Sequence, residues 1–199
     1  MTHKTPPSTH HNPTRNQIPN RTTAARKPST CKSRCWDWMI TPSGNCHYAK
    51  NRASFASYRR APGRVGSQRV LGVGSVELKV RRAPDDARPN VLALQGVLHL
   101  PDASCNGLSL PRYRGANGLV GITGEERGRG GFLQARSEVD GERLWYGDEY
   151  CGWSRVVLWG DPRGETYLGQ EPEGSMLGVV ASAEELDQLF TRVKERSLV

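Results

Sequence analysis

Apolar and polar positions divide the chain into distinct regimes. After Met1, residues 1–35 hold one large aliphatic residue, Ile18, among Thr, Pro, Asn, Arg and Ser. Such a segment cannot bury enough apolar surface to offset an ordering entropy of roughly 1–2 kcal/mol per residue, so a disordered tail is expected there. From Trp36 the pattern changes to short apolar runs broken by Gly, Pro and polar residues. These predict strands near Trp36–Ile40, Cys46–Ala49, Arg69–Val73, Val76–Arg81, Asn90–Leu94 and Gly96–Leu100. Val76, Leu78 and Val80 alternate with Glu77, Lys79 and Arg81, the period of a strand buried on one face, and Gly74-Ser75 before it reads as a hairpin turn. Many short strands at close spacing predict an all-β fold, a small barrel or sandwich.

After Pro111, the stretch GANGLVGITGEERGRGG reads as a long flexible connection over residues 113–131. Further strands are expected at Phe132–Arg136, Arg143–Tyr146 and Ser154–Trp159, where Trp145, Tyr146, Trp153 and Trp159 supply mass to bury. One helix is predicted, over residues 183–196. Ser182 and Glu185 have capping-box spacing, and Leu186, Leu189, Phe190 and Val193 recur at i, i+3, i+4 and i+7, a stripe suited to packing on the barrel, with partner binding as the alternative use. The expected organisation is therefore a basic tail (1–35), a β-barrel (36–112), the connection (113–131), and a β-rich extension ending in the helix (132–199).

Composition narrows the class. With 36% hydrophobic residues, 22 Gly and 13 Pro among 199 residues, the chain suits one loop-rich domain with tails. No apolar run approaches the roughly 18 residues of a membrane helix, and the N-terminus lacks the apolar core of a signal peptide. Five scattered cysteines, an odd number, argue for reduced thiols, so an intracellular, cytoplasmic or nuclear chain is expected, with no membrane partner. The net charge of +8 is polarised: residues 1–36 carry seven Lys/Arg and no acid, whereas residues 112–199 carry eleven against fifteen. Arg15, Arg21, Arg26, Lys27, Lys32 and Arg34 of the tail could bind nucleic acid weakly, through phosphates and without sequence preference.

Candidate chemistry is sparse. Cys31, Cys35, Cys46 and His47 are zinc-ligand types, but adjacent Cys46 and His47 would point to opposite faces of a strand, so the spacing predicts no metal site. His99 lies in an apolar strand with no nucleophile motif beside it, which predicts a histidine that is solvent-facing or satisfied by the core rather than a base. Gly72-Val73-Gly74 and Arg127-Gly128-Arg129-Gly130-Gly131 resemble phosphate loops only in their glycines. Neither leads into the Lys-Ser/Thr pair of a P-loop, and no cofactor is expected.

Three ordered blocks between Trp38 and Leu110 carry a family resemblance. The first is Trp38-Met39-Ile40-Thr41-Pro42-Ser43-Gly44-Asn45-Cys46-His47, followed by Asn51-Arg52, Phe55 and Ser57-Tyr58. The second is Val70-Leu71-Gly72-Val73-Gly74-Ser75-Val76-Glu77-Leu78. The third is Leu94-Gln95-Gly96-Val97-Leu98-His99-Leu100-Pro101 with Asn106-Gly107-Leu108-Ser109. In this order they resemble the retropepsin-like barrel of copia-type retrotransposon Pol polyproteins, in which a Trp and two aliphatics lead into Asp-Ser-Gly-Ala and then a His. The resemblance implies an acid-protease-like barrel, with a homodimer as the form in which such barrels act.

It also implies where the chemistry is missing. Retropepsins activate water with two carboxylates that share a proton, one from each subunit. Thr41 stands in the Asp position, followed by Pro42 and Ser43, and no Asp-Ser-Gly or Asp-Thr-Gly occurs in the chain. A threonine hydroxyl titrates far above neutrality and cannot serve as general base, and the nearest acid, Asp37, is four residues upstream. The expectation is a chain that is not an enzyme and has no catalytic residue. Two function classes stay open: a transposon-derived, non-catalytic barrel used as a scaffold or protein-interaction module, and a nucleic-acid-associated protein that binds through its tail.

Overall fold

The computed structural model describes Met1 and residues 34–118, 120–127, 130–166, 168 and 178–195. Among them the chain is mostly β. The strands are β1 (Trp38–Thr41), β2 (Tyr48–Ala49), β3 (Ser57–Val65), β4 (Gln68–Ala83), β5 (Asp86–His99), β6 (Asn106–Ser109), β7 (Val120–Arg127), β8 (Gly130–Ser137), β9 (Arg143–Tyr150) and β10 (Trp153–Val156). Two α-helices accompany them, α1 (Leu110–Ala116) and α2 (Ala183–Glu195).

The strands form one sheet in the order β3-β4-β5-β2-β6-β1-β10-β9-β8-β7. Pairing is antiparallel except for β1 with β6 and β2 with β5. The sheet curls back on itself: Val80 of β4 bridges to Leu158 just beyond β10, with Arg81 N–H donating to Val157 O (3.1 Å) and Trp159 N–H to Lys79 O (2.9 Å).

Strand alternation sorts the apolar residues into two cores. Trp38, Ile40, Val76, Leu78, Val80, Leu92, Leu94, Val97, Leu108 and Trp145 fill the first. Met39, Val70, Val73, Leu98, Leu100 and Cys105 fill the second, which α2 covers with Leu189 and the flanking Leu186, Phe190 and Val193. On β5 the step from Leu94 to Val97 spans three residues, yet both face the first core. An extra residue makes this possible: Gly74 and Val76 of β4 oppose Val97 and Leu94, and Gly96 takes φ +62°, a glycine-dependent bulge.

α2 ends its N-terminus as its sequence predicts. Glu185 N–H donates to Ser182 Oγ (3.1 Å) and Ser182 N–H donates to Glu185 Oε2 (2.8 Å). The same carboxylate accepts from Gly66 N–H (2.7 Å), pinning the β3–β4 turn to the helix.

Several expectations need correction. Residues 113–131 are not an open connection. Ser109 caps α1 by accepting from Arg112 N–H (3.2 Å), and β7 pairs with β8 along its whole length. The ladder supplied by β8 orders a glycine-rich edge strand whose own sequence carries little burial signal. Gly74-Ser75 is not a turn but the middle of β4, where Gly72 and Gly74 lie so close to Tyr58, Arg59 and Ser57 of β3 that a Cβ would collide. The turn lies instead at Gly66, with φ +53°, and β3 escaped prediction because Arg59, Arg60, Pro62 and Gly63 break its alternation. Asn90–Leu94 and Gly96–Leu100 belong to one strand rather than two. Leu71 is half-buried, and Trp159, expected among the buried aromatics, is 44% exposed beneath the Lys79 ammonium (3.6 Å).

The 36–112 and 132–199 segments also share one sheet and one core. β10 pairs with β1 at Met39–Arg155, and Ala135, Trp145 and Val156 pack with Trp38. The physical reason is area: the first core is closed only when β8, β9 and β10 bring their apolar faces to it. The expected disordered tail, with Arg15, Arg21, Arg26, Lys27 and Lys32, lies outside the described residues. No helix among the described residues is long and apolar enough to cross a membrane.

Candidate functional site

Thr41 ends β1 in parallel register with Ser109 of β6. This pairing places the loop Pro42–Asn45 against the start of α1. Thr41 is 1% exposed, and its hydroxyl donates to Leu108 O (3.2 Å). Ser109 Oγ donates to Gly44 O (2.8 Å) and accepts from Arg112 N–H. The hydroxyls of Thr41 and of its neighbour across the strands, Ser109, therefore donate to backbone carbonyls.

The other side of the loop is held by the segment before α2. Asn45 N–H donates to Val179 O (2.9 Å), Asn45 Nδ2 donates to Ala181 O (2.8 Å), and Ala181 N–H donates back to Asn45 Oδ1 (2.8 Å). Gly44, at φ +90°, lies under Val179, where a Cβ would come within 2.7 Å of the Val179 carbonyl oxygen. Gly178 in turn packs on Ser43. Asn45 carried no recognisable signal in the sequence, because its partners are 136 residues away.

Among the described residues no carboxylate is bonded to this loop. Asp37, the nearest acid in sequence, is buried and pairs with Arg155 (3.3 Å), whose guanidinium stacks on Tyr150 (3.8 Å). His47 is 2% exposed, and its Nδ1 accepts from Ser109 N–H (3.1 Å). Burial first, and then the Arg112 guanidinium, bring its pKa down to about 4. The ring is thus neutral near neutrality, with its proton on Nε2. Burial pushes the thiols of Cys46 and Cys35 up, and that of Cys105 up to about 12, so none is a poised nucleophile.

The depressed His47 has a measurable consequence. Between about pH 4 and pH 6.5 the unfolded chain binds a proton at this ring that the folded chain refuses. The corresponding stability, on the order of a few kcal/mol, is complete above pH 6.5 and is lost as pH falls toward 4. The urea midpoint of the wild type should fall from pH 7 to pH 5 more steeply than that of His47→Asn, which keeps an acceptor for Ser109. Equal slopes would show that His47 titrates normally.

Among the described residues no group of three or more His, Cys, Asp or Glu is placed to hold a metal ion. Cys46 packs in the second core and hydrogen-bonds Asn45 Oδ1 (3.3 Å), whereas His47 turns toward Ser109. Cys35 is buried, its N–H donating to Asn51 Oδ1 (2.9 Å), and Cys31 lies outside the described residues. His99 is buried between Phe55 and Tyr58, and its Nδ1 shares a hydrogen bond with Tyr58 OH (3.0 Å), a structural arrangement. Gly72-Val73-Gly74 serves strand contact, and Gly128-Arg129 is outside the described residues. Arg34, expected as a tail cation, is instead partly buried and stacked on Trp36 (3.9 Å).

Beside the loop opens a cleft of about 610 Å³, lined by Ile40, Pro42, Leu110, Phe132, Leu133 and Trp153, with Glu149 and the β7 glycine Gly124 at its sides. Its apolar walls come from β1, α1, β8 and β10, so it exists only once the last strands join β1. Neither a family model, nor a curated protein, nor a solved structure matches this chain.

Proposed function

We propose that the chain is a non-catalytic, retropepsin-like barrel of transposon descent that works as a protein-interaction module, seating an apolar peptide segment in the cleft beside Pro42. The observation that carries this reading is the pairing of two features at one place. The loop where the resembled family keeps its acid has its hydroxyls tied to carbonyls. The cleft next to it keeps apolar walls and the half-buried ring of Trp153. A loop of this chemistry cannot activate water, while the cleft retains the shape and apolarity that hold a peptide. Glu149 favours a peptide with a basic residue near its apolar anchor.

The test is selection of binders from a displayed peptide library, followed by fluorescence-polarisation titration of the best ones. Selected peptides should carry an apolar anchor, remain uncleaved, and bind Trp153→Ala about 10- to 30-fold more weakly, as expected for an aromatic anchor at an interface centre. Absence of enrichment, or peptides indifferent to Trp153→Ala, would end this proposal. Salt-sensitive binding of labelled RNA in the same assay, lost on removing residues 1–33, would favour nucleic-acid association instead.

A further inference from the structure

The cleft between α1 and β5 holds a cation with no ion-pair partner among the described residues. Arg112, in the first turn of α1, is half-buried. Among the described residues its guanidinium meets neither a carboxylate nor a hydrogen-bond acceptor, and only its backbone N–H is engaged, by Ser109 Oγ. The contrast with its peers is sharp: Arg82 meets Glu142, Arg143 meets Asp85, and Arg155 meets Asp37.

Arg112 also has room made for it. It lies across Gly96, where any Cβ would collide with its Nη2, so the bulge glycine of β5 makes the room it occupies. The cleft it faces measures about 710 Å³, with Asn45, His47, Gln95 and Asn117 as polar groups and Leu94 and Tyr113 among the apolar walls. With Nδ1 taken by Ser109 N–H, the imidazole has only its Nε2–H left to offer.

We propose that this cleft binds a monocarboxylate carrying an apolar body, with the Arg112 fork taking the carboxylate and His47 Nε2–H supplying a further donor. One guanidinium matches one negative charge and two coplanar oxygens. Because His47 is neutral it adds a donor but no second charge, which disfavours a dianionic phosphate. The apolar walls suit a hydrocarbon body, whereas a bare inorganic anion would leave them uncovered. This site is separate from the peptide cleft at Pro42, and neither proposal depends on the other.

The experiment uses the full chain, isotope-labelled, in amide and imidazole NMR near neutral pH. The probe is 3-phenylpropionate, with 3-phenylpropionamide as its neutral isostere and inorganic phosphate as a third arm. The carboxylate should shift the signals of His47, Gln95 and Asn117 together, and the amide should bind at least about 10-fold more weakly, the loss of a charge-assisted fork. Arg112→Gln should weaken the carboxylate about 10- to 100-fold without unfolding, since the guanidinium has no partner among the described residues. The isostere comparison on the wild type tests the charge requirement even if that variant misfolds. No shift at these residues, equal binding of acid and amide, or phosphate binding as tightly as the carboxylate would each overturn the proposal.

Discussion

Leu98→Ala is expected to lose about 2–5 kcal/mol of stability and to leave little folded protein. Leu98 is fully buried at the meeting of three elements: it pairs with Val73 on β4 and Tyr48 on β2, and its N–H donates to His47 O (2.9 Å). Its side chain packs in the core that also takes Met39, Val70, Leu100 and Leu189, so truncation opens a cavity beneath α2 that strands fixed on both sides cannot close. A domain of this size has roughly 5–15 kcal/mol in total, so the variant approaches the threshold of folding. Urea unfolding followed by tryptophan fluorescence measures the change. A loss under ~0.5 kcal/mol would place Leu98 outside the core and break the β5 register.

Thr41→Asp should be nearly as damaging, and it should not create a protease. The side chain at this position is 1% exposed and faces the Leu108 carbonyl oxygen, to which the threonine hydroxyl donates. A carboxylate there loses that hydrogen bond and sets negative charge against an acceptor in a site closed to water. Removing a donor and burying an unpaired charge together cost about 3–5 kcal/mol. The acid would escape part of this by staying protonated. Its folded pKa would lie above the unfolded value near 3.9, so stability is present at low pH and is lost as pH rises through the raised pKa. The urea midpoint of Thr41→Asp should therefore recover toward the wild type on acidification.

Catalysis requires more than the carboxylate. General acid–base assistance contributes about 10²- to 10⁴-fold per group, and it needs a proton-sharing pair positioned on water. Here Pro42 and Ser43 follow Thr41, where the proposed retropepsin-like pattern would need Ser and Gly, and the loop is clamped by Asn45 to Val179 and Ala181. Neither the wild type nor Thr41→Asp should cleave a peptide library between about pH 4 and 7. Cleavage sensitive to a pepstatin-type inhibitor in the wild-type chain would overturn both the alignment at Thr41 and the non-catalytic reading.

What could be read from residues alone was whatever depends on neighbours in sequence. The Val76–Leu78–Val80 alternation and the Ser182–Glu185 capping box are local chemistry, because strand period and helix caps act over two to four residues, and the structure carries both. That no Asp-Ser-Gly or Asp-Thr-Gly triplet occurs was equally plain, since it needs only the order of residues. The structure alone decided the rest, because pairing free energy is realised between residues the chain keeps far apart. β1 reaches β6 some 67 residues later through Thr41 and Leu108, and reaches β10 through Met39 and Arg155. Glycine-rich β7 becomes a strand because β8 offers it a ladder, and α1 forms from residues 110–116 because Ser109 is free to cap it. The same distance effect hid the Asn45 clamp and the guanidinium of Arg112, which meets no acceptor among the described residues. Which side chains meet a given charge depends on the distant elements that pack around it, and periodicity along the chain holds no information about that.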